Sequence, residues 1–312
     1  MLTIAYITSR KRPRWEWFAD SLSLELRATP MEVKIVVVDF HLPQASMRRA
    51  CPVLTMCLQP GVVEFNHVSP KPTVWQGEGR LTTENYFAPA NARNTALCLA
   101  PDGVLAYVDD LSVLMPGWLA AVKQAVEGNY LVYGAYKKVL ALDVRDGKVL
   151  SYREHAGGID SRWAAGEEGR AVPINPAALF GCSVAGPVEA FLRINGWDED
   201  CDSMGGEDSL CGLMLWHAGY RAFYDRRMLT LESEEDHLQE QGFKRIIKKM
   251  ANTDASHVIL NQVMAGRRRV APNYFGQGGI RGLRQRVLAG EPFPPATCPE
   301  HDWRDGQPLR EM

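Results

Sequence analysis

Two pairs of adjacent carboxylates have the residue types and surroundings of a chemical site. Asp109 and Asp110 end an apolar run at 104–108, which a glycine turn begins and which is typical of a buried strand. Later in the chain, Glu207 and Asp208 follow two glycines and begin an apolar helix. Acids at the carboxyl end of a strand face the crevice in which open α/β sheets bind ligands. Such pairs can hold a divalent cation or accept a proton, although an Asp turn and a helix cap are the structural alternatives.

The elements that position the first pair alternate between strand and helix. Leu2–Thr8 and residues 33–38 are continuously apolar, which is the pattern of parallel strands covered on both faces, and an amphipathic helix at about 14–27 joins them. Two such strands and a helix form a right-handed βαβ unit, the opening of a doubly wound sheet. The next predicted elements are a strand at 62–68, a loop over the site at 69–90 and a helix from Ala90.

The second half of the chain has a less regular pattern. Asp146 and Gly147 are a typical two-residue hairpin turn. Residues 153–176 have no usable periodicity, so we predict a mobile loop there and consider it a candidate lid over an acceptor. The other predicted elements are helices at 118–127, 188–194 and 208–219, and strands at 130–139, 140–144, 148–152, 178–184 and 221–224.

Composition limits the class of protein. The chain has 312 residues, of which 46% are hydrophobic and 23% are charged, as in an ordinary globular protein with a large core. No apolar run approaches the roughly 20 residues of a membrane span, and the first residues resemble a strand rather than a secretory signal. We therefore expect a cytoplasmic protein. The seven cysteines have no Cys-x-x-Cys spacing, so reduced thiols are expected rather than a disulfide framework or a thiolate zinc site.

Positive charge is concentrated towards the C-terminus. Residues 240–290 contain ten basic and two acidic residues, a net charge of +8 in a chain whose overall charge is −2. This asymmetry indicates either a partner that is anionic or a solvated basic helix face. The compositional break past about residue 236 places a domain at 1–237 and a basic, helical or irregular C-terminal extension at 238–312.

Five features in chain order resemble one family. The chain shows a strand ending at Asp39, Asn91-Ala-Arg-Asn, the pair at 109–110, Ile194-Asn-Gly-Trp-Asp-Glu, and Gly205-Gly-Glu-Asp. This order and spacing resembles the GT-A glycosyltransferases of the family-2 and galactosyltransferase-like kind over roughly residues 1–237. The resemblance implies an α/β fold with a Rossmann-like, doubly wound, mostly parallel sheet. It also implies a nucleotide-sugar half at about 1–118 and an acceptor half at about 119–237.

For the donor, the resemblance implies a nucleotide-sugar, most simply a UDP-sugar. Thr8, Arg10, Asp39, Arg93 and Asp109 match the positions that bind it, with Asp39 on the base. The Arg93 guanidinium, with its fork of donors, suits the diphosphate, and a structural ion pair with a strand-end Asp is the alternative.

The resemblance also implies a divalent cation, Mn or Mg, that neutralises the leaving diphosphate. Its ligands would be Asp109, Asp110 and His237. The sequence departs from the family's Asp-x-Asp motif here, because one acid is missing in either register.

For catalysis, the resemblance implies an inverting transfer in which Asp208 is the base and Glu207 orients the acceptor. Gly205 and Gly206 would let the backbone approach the sugar, and Trp197 would either stack on a sugar face or lie buried in the turn.

The acceptor stays open between a saccharide, free or lipid-linked, and a hydroxymethylated base in DNA bound through residues 244–286. The competing hypotheses are a catalytically degenerate nucleotide-sugar or nucleic-acid binding protein with this fold, and a retaining transferase or sugar-nucleotide hydrolase.

Overall fold

The structure is a computed structural model of the chain, and it describes residues 1–42, 61–78, 80, 84–202, 205–235, 243 and 253–296. It confirms the predicted α/β fold. The ten described strands are β1 (Leu2–Thr8), β2 (Val33–Asp39), β3 (Val62–Val68), β4 (Val104–Asp109), β5 (Ser112–Leu114), β6 (Leu131–Arg145), β7 (Lys148–Ile159), β8 (Val172–Pro173), β9 (Ser183–Pro187) and β10 (Ala222–Ser233). The described α-helices are α1 (Trp15–Ala28), α2 (Pro89–Leu99), α3 (Trp118–Gly128), α4 (Val188–Arg193), α5 (Glu207–His217), α6 (Thr253–Met264) and α7 (Gly279–Leu288).

All ten strands belong to one sheet, in the order β3-β2-β1-β4-β9-β6-β10-β5, with β7 paired to β6 and β8 to β10. The first four strands of that order run parallel, and β9 runs antiparallel between β4 and β6. The residues of β1 and β2 are buried throughout, as expected for strands covered on both faces. Thr8 pairs in register with Asp39, and Ile7 pairs with Asp109, so three strands end at one edge.

Helices cover both faces of this sheet. Phe18 and Leu22 of α1 and Trp118 of α3 are fully buried in the cluster on one face. On the other face, α2 and α5 contribute to a second cluster, in which Tyr107 and Leu210 are buried. Helices on both faces are what make the sheet doubly wound, and they leave its strand-end edge as the place for a site.

The hairpin prediction is confirmed, but the strand before it is longer than predicted. Asp146 has a φ of 50° and Gly147 a φ of 73°, which is the conformation of a two-residue type I′ turn. Residues 131–145 form the single strand β6 rather than two strands. The prediction failed because β6 changes from fully buried to half-buried along its length and contains register shifts against β7, so its hydrophobic alternation is interrupted.

Three further boundaries differ from the prediction. Residues 153–159, which we expected in a mobile loop, continue β7, and a short 3₁₀ turn (Trp163–Ala165) and β8 follow within the same segment. The strand predicted at 178–184 lies later, in β9, and the one predicted at 221–224 extends to Ser233. Strand β7 is mostly exposed and pairs on one side only, so a pattern based on burial does not show how far it continues past residue 152.

The described part of the predicted extension packs onto the rest of the fold. Val263 of α6 and Ile280 and Leu283 of α7 are buried in the same core as α2 and α5. Tyr274 and Phe275, between these helices, are also buried. Residues 253–296 therefore share a hydrophobic core with the sheet. Among the described helices, none has the length and apolarity that a membrane crossing requires.

Candidate active site

The ends of β1 and β4 form the first part of the site. The Thr8 hydroxyl donates to Oδ2 of Asp110 at 2.5 Å, and Arg10 Nε donates to Oδ1 of the same carboxylate at 2.8 Å. All three side chains are buried. Both oxygens of Asp110, a predicted metal ligand, therefore accept hydrogen bonds from residues that we predicted for nucleotide binding.

Asp39, at the end of β2, is fully buried. Its Oδ1 accepts from the backbone N–H of His41 at 2.9 Å, and its Oδ2 lies 3.1 Å from His67 Nε2 on β3. His41 in turn lies 3.0 Å from the Ser9 carbonyl through Nε2. Sequence reasoning missed both histidines, although each falls within three residues of a predicted strand end. His41 thus links Asp39 to the residue after β1, and His67 links Asp39 to β3.

Arg93 lies at the centre of the second part of the site. Its Nη1 is 3.0 Å from Oδ1 of Asp208 and 3.3 Å from Oε1 of Glu207, and its Nη2 is 4.0 Å from Oδ1 of Asp109. The side chain is 5% exposed, so these ion pairs form with little solvent screening. Burial lowers the pKa of Arg93 and the carboxylates raise it, with a net shift upwards. One guanidinium thus joins the two acid pairs that the sequence singled out.

Trp197 lies beneath this guanidinium. The indole is fully buried, and Arg93 Cζ lies 4.6 Å from its ring centroid. Tyr107 and Phe191 pack against the same ring system, and the Asn94 side chain bonds to both backbone polar groups of Trp197. A ring covered in this way does not stack on a sugar, so the prediction of sugar contact is replaced by its alternative, a buried turn aromatic.

The second acid pair lies on the first turn of α5. Gly206 takes the N-cap position with a φ of 93° and Gly205 has a φ of 82°, a region that favours glycine. A Cβ at Gly205 would meet nothing within 4 Å, so backbone conformation rather than close approach explains that glycine. Glu207 and Asp208 are the first two helical residues, so neither occupies the N-cap position. The alternative role of Asp208, as the N-cap residue, is therefore taken by Gly206.

The two acids of this pair differ in environment. Burial, together with the neighbouring Asp208 charge, raises the pKa of Glu207 to about 7, and Arg93 opposes the rise. The Asp208 side chain is 24% exposed, against 11% for Glu207. Burial also raises the pKa of Asp109, in the other acid pair, and the charge of Arg93 again opposes this rise. Asp208 is therefore the member of the pair that reaches solvent.

Glu232, on β10, is an acid that sequence reasoning missed. Its side chain is buried, and Oε1 lies 3.4 Å from Nζ of Lys138 on β6, its partner in strand register. Burial raises the pKa of Glu232 to about 7; Lys138 lowers it, and the charges of Asp109 and Asp110 raise it. The sequence signal was an acid at the end of an apolar strand, which is the same signal that singled out Asp109.

An acidic turn at 198–202 supports the helix that carries Arg93. Asp202 accepts the backbone N–H groups of Ala90 and Asn91 at 2.7 and 3.0 Å, which are donors of the first turn of α2. Glu199 accepts from Asn94 Nδ2 at 2.8 Å and from Lys71 Nζ at 2.9 Å. The motif that supported the family resemblance therefore positions Arg93.

Three described arginines of the basic segment pair with acids of the domain at 1–237. Arg268 pairs with Asp198 at 2.5 Å and with Asp200 at 2.6 Å, and the Tyr274 hydroxyl also donates to Asp200. The charge of Arg268 is thus matched within the chain, and this contact gives no support to the predicted DNA contact through 244–286. Two further ion pairs of this kind are Arg281 with Glu189 at 2.6 Å and Arg284 with Asp102 at 2.8 Å. Arg286 lies 3.7 Å from Glu291, and Arg267 and Arg269 are exposed. The four lysine and arginine residues at 244–249 lie outside the described residues.

Few described side chains are placed to hold a divalent cation. In the part of the chain that the structure describes, no cluster of three or more His, Cys, Asp or Glu side chains could hold a metal. His237 lies outside the described residues. Asp109 is 31% exposed and faces the site. Since Mg²⁺ often takes one or two carboxylates and completes its shell with water and substrate phosphates, Asp109 fits such an ion once a diphosphate is bound.

A cavity of about 560 Å³ lies next to the end of β2. Its walls come from the loop that we predicted over the site and from the C-terminal segment. Phe40, which follows Asp39, meets Phe243 edge to face there, with the ring centroids 5.5 Å apart. The other named members of the lining include Ser69, Lys71, Thr73, Gln76 and Asn85. An aromatic wall with amide and hydroxyl groups suits a small polar ring.

No family model matches the chain, and no curated protein matches it in sequence. Among solved structures, the chain is similar to S. aureus TarS 1-349 in complex with UDP-GlcNAc, at 11% identity and a TM-score of 0.56, covering 85% of this chain and 65% of that one. The UDP complex of the same fragment gives 12% identity, a TM-score of 0.51 and coverages of 74% and 60%.

Two other solved structures give lower scores. Mannosyltransferase PcManGT from Pyrobaculum calidifontis, with GDP-Man and Mn2+, has 18% identity and a TM-score of 0.45, with coverages of 87% and 65%. The chain spans 37% of the longer TarS structure. At these identities the likeness concerns the fold alone: the chain has a GT-A-like glycosyltransferase fold.

Proposed function

We propose that the chain is an inverting glycosyltransferase that moves a sugar from a nucleotide-sugar, most simply a UDP-sugar, to an acceptor hydroxyl. One observation carries the proposal. Arg93 brings Asp109, at the end of the central strand, within 4.0 Å of the guanidinium that also holds Glu207 and Asp208. A strand-end acid on the donor side and a helix-start acid on the acceptor side therefore face one another across a single cation.

The donor would lie along the strand-end edge. Thr8, Arg10 and Asp110 form the hydrogen-bonded cluster at the end of β1, and Asp39 lies in register beside Thr8. The cavity next to Phe40 adjoins this edge and suits the ring of a nucleoside. In the bound state Asp109 would hold the divalent cation, which supplies positive charge to the leaving diphosphate.

Asp208 is the proposed base. A general base must reach the hydroxyl whose proton it takes, and Asp208 is more exposed than Glu207. Arg93 donates to its Oδ1, which fixes the carboxylate in orientation. Glu207, buried and with a pKa raised to about 7 by burial and by Asp208, is suited to orienting a hydroxyl through a hydrogen bond. The attack then comes from the face opposite the leaving diphosphate, which inverts the anomeric centre.

The contacts of the basic segment bear on the choice between DNA and a saccharide as the acceptor. Arg268, Arg281 and Arg284 are paired within the chain, and Tyr274 and Phe275 are buried, so these five residues do not favour DNA as the acceptor. A saccharide acceptor remains, and its hydroxyls are the groups that Asp208 and Glu207 can receive.

The test is a donor screen with the Asp208→Asn variant. The purified chain is incubated with a panel of nucleotide-sugars, with and without Mn²⁺ or Mg²⁺, and release of nucleoside diphosphate is followed. We expect release from one donor, and on addition of saccharide acceptors a rate that falls by about 10²- to 10⁴-fold in Asp208→Asn while the donor Kd is unchanged. Glu127→Gln, an exposed acid on α3, is the matched control.

Four outcomes contradict parts of the proposal. Donor binding without turnover in the wild type would favour the catalytically degenerate binding protein. Equal turnover in Asp208→Asn and Glu127→Gln would remove Asp208 as the base. A product with the donor's anomeric configuration would favour a retaining enzyme. Absence of binding for every donor would remove the nucleotide-sugar assignment itself.

A further inference from the structure

A basic and apolar surface lies at the adjoining ends of α5 and α6. We define this α5–α6 surface as Trp216, Met264, Arg267, Arg269 and Val270. The apolar members are 55%, 63% and 50% exposed for Trp216, Met264 and Val270, and both arginines are exposed. Contiguous exposed apolar side chains on a globular protein are typical of an interaction site.

Contacts between the two helices make the surface continuous. His217 Nε2, at the end of α5, lies 2.9 Å from the carbonyl oxygen of Val263 on α6. The Trp216 ring lies against the His217 ring, with centroids 4.9 Å apart. Met264 directly follows Val263, so Trp216 and Met264 flank this contact.

The turn after α6 orients the arginines. The backbone N–H groups of Arg267 and Arg268 both donate to the Gln262 carbonyl, which caps the end of α6. Arg268 turns inwards to Asp198 and Asp200, while its neighbours Arg267 and Arg269 are exposed. Arg269 Nε donates to the Gly266 carbonyl at 3.1 Å, and residues 261–270 contain no acid. The exposed charge of this turn is therefore positive.

We propose that the α5–α6 surface binds the headgroup region of an anionic lipid bilayer. Tryptophan prefers the boundary between headgroups and acyl chains, since its ring is apolar and its N–H is polar. Met264 and Val270 would enter the apolar side of that boundary, and Arg267 and Arg269 would meet lipid phosphates.

A nucleic acid suits the same surface less well. Met264 and Val270 have no π face for stacking on bases, and of the described aromatic residues of the basic segment, Phe243 is half-buried and Tyr274 and Phe275 are buried. The inference does not depend on the proposed transferase activity, because none of its residues belongs to the acid cluster around Arg93.

Quenching of tryptophan by brominated lipid tests the proposal. Trp216 is the one exposed tryptophan among the described residues; Trp163 is half-buried, and Trp15, Trp17, Trp75, Trp118 and Trp197 are buried. The full chain is titrated with vesicles of phosphatidylglycerol and phosphatidylcholine whose acyl chains carry bromine near the headgroup. We expect quenching with the anionic vesicles, loss of that quenching in Trp216→Phe, and unchanged quenching in the matched control Trp163→Phe, since Trp163 is half-buried against Arg226.

Vesicle cosedimentation measures the charge contribution. Arg267→Gln and Arg269→Gln should each weaken binding about fivefold, as about 1 kcal/mol per basic residue near an anionic surface predicts. Arg145→Gln, at the exposed β6–β7 turn, is the control and should bind as the wild type does. Donor turnover in solution should be unchanged in all of these variants, which separates this test from that of the proposed function.

Three results would overturn the inference. The first is no association with anionic vesicles. The second is quenching that survives in Trp216→Phe. The third is Trp216-dependent binding of a DNA or RNA oligonucleotide without vesicle binding, which would assign the surface to nucleic acid.

Discussion

Removing the charge of Arg93 is the sharpest test of the site's electrostatics. Replacing it with Met keeps a long side chain over Trp197 but leaves Asp109, Glu207 and Asp208 without their shared cation. At an effective dielectric constant of about 20, each charge pair at 3 to 4 Å has a gross attraction of about 4–5 kcal/mol. Desolvation of the buried guanidinium offsets much of this sum, so the expected net loss is about 3–5 kcal/mol in the free energy of unfolding.

The loss should depend on pH in a stated direction. Arg93 lowers the pKa of Glu207, which burial has raised to about 7, so its removal raises that pKa further. A carboxyl whose pKa is higher in the folded state than in the unfolded state stabilises the fold at low pH, and that stability is lost as pH rises through the folded-state pKa. Arg93→Met should therefore be less destabilising at pH 5 than at pH 8.

Urea unfolding of Arg93→Met and the wild type at the two pH values is the assay. Arg281→Met is the matched control, since its ion pair with Glu189 is exposed, with side chains 46% and 56% accessible, and such pairs contribute about 0–1 kcal/mol. Equal losses in Arg93→Met and Arg281→Met, or a loss independent of pH, would refute the reasoning that one buried cation holds the three acids.

Three further predictions follow from the contacts. A Cβ at Gly181 would lie 2.2 Å from Arg93 Cζ, so Gly181→Ala should displace the guanidinium and lower transfer on the order of 100-fold in the donor assay; an unchanged rate would show that Arg93 is not needed in its observed position. Burial raises the pKa of Glu232 from 4.5 to about 7. The free energy of unfolding of the wild type should therefore fall by on the order of 3 kcal/mol between pH 4.5 and pH 8, and that of Glu232→Gln should not show this fall. Parallel pH profiles of the two proteins in urea unfolding would contradict this. Gly147 has a φ of 73° and its Cβ position lies 2.5 Å from the Asp20 carbonyl carbon, so Gly147→Ala should cost at least about 1–2 kcal/mol, seen as a lower Tm; an unchanged Tm would argue against the type I′ turn.

The parts of the fold that were predictable are those with local causes. Continuous apolar runs predicted β1, β2 and β4, and therefore the positions of Thr8, Asp39 and Asp109 at one edge. For β7 only the first five residues, 148–152, were predicted; its continuation to Ile159 was missed because these residues are mostly exposed and pair only with β6, so they carry no burial pattern.

The contacts that were not predictable join residues far apart in the chain. Charge density left two alternatives for residues 240–290, an anionic partner or a solvated basic face, and Arg268 pairs with Asp198 and Asp200, about 70 positions away. No local pattern specifies such a pair. For Arg93 the sequence left two roles open, and the structure shows ion pairs with acids from two separate motifs.

The charges around the site connect these observations with the donor. Among the described residues, the five acids Asp109, Asp110, Glu207, Asp208 and Glu232 face three cations, Arg10, Arg93 and Lys138. Fully ionised, this set has two excess negative charges, and a diphosphate adds more. A divalent cation at Asp109 removes that excess, and so does protonation of Glu207 and Glu232, whose pKa values burial raises to about 7. Donor affinity without metal should therefore weaken as pH rises above 7, and Mn²⁺ should reduce that dependence. A donor Kd that is independent of both pH and metal would show that the charges of these acids do not affect binding of the diphosphate.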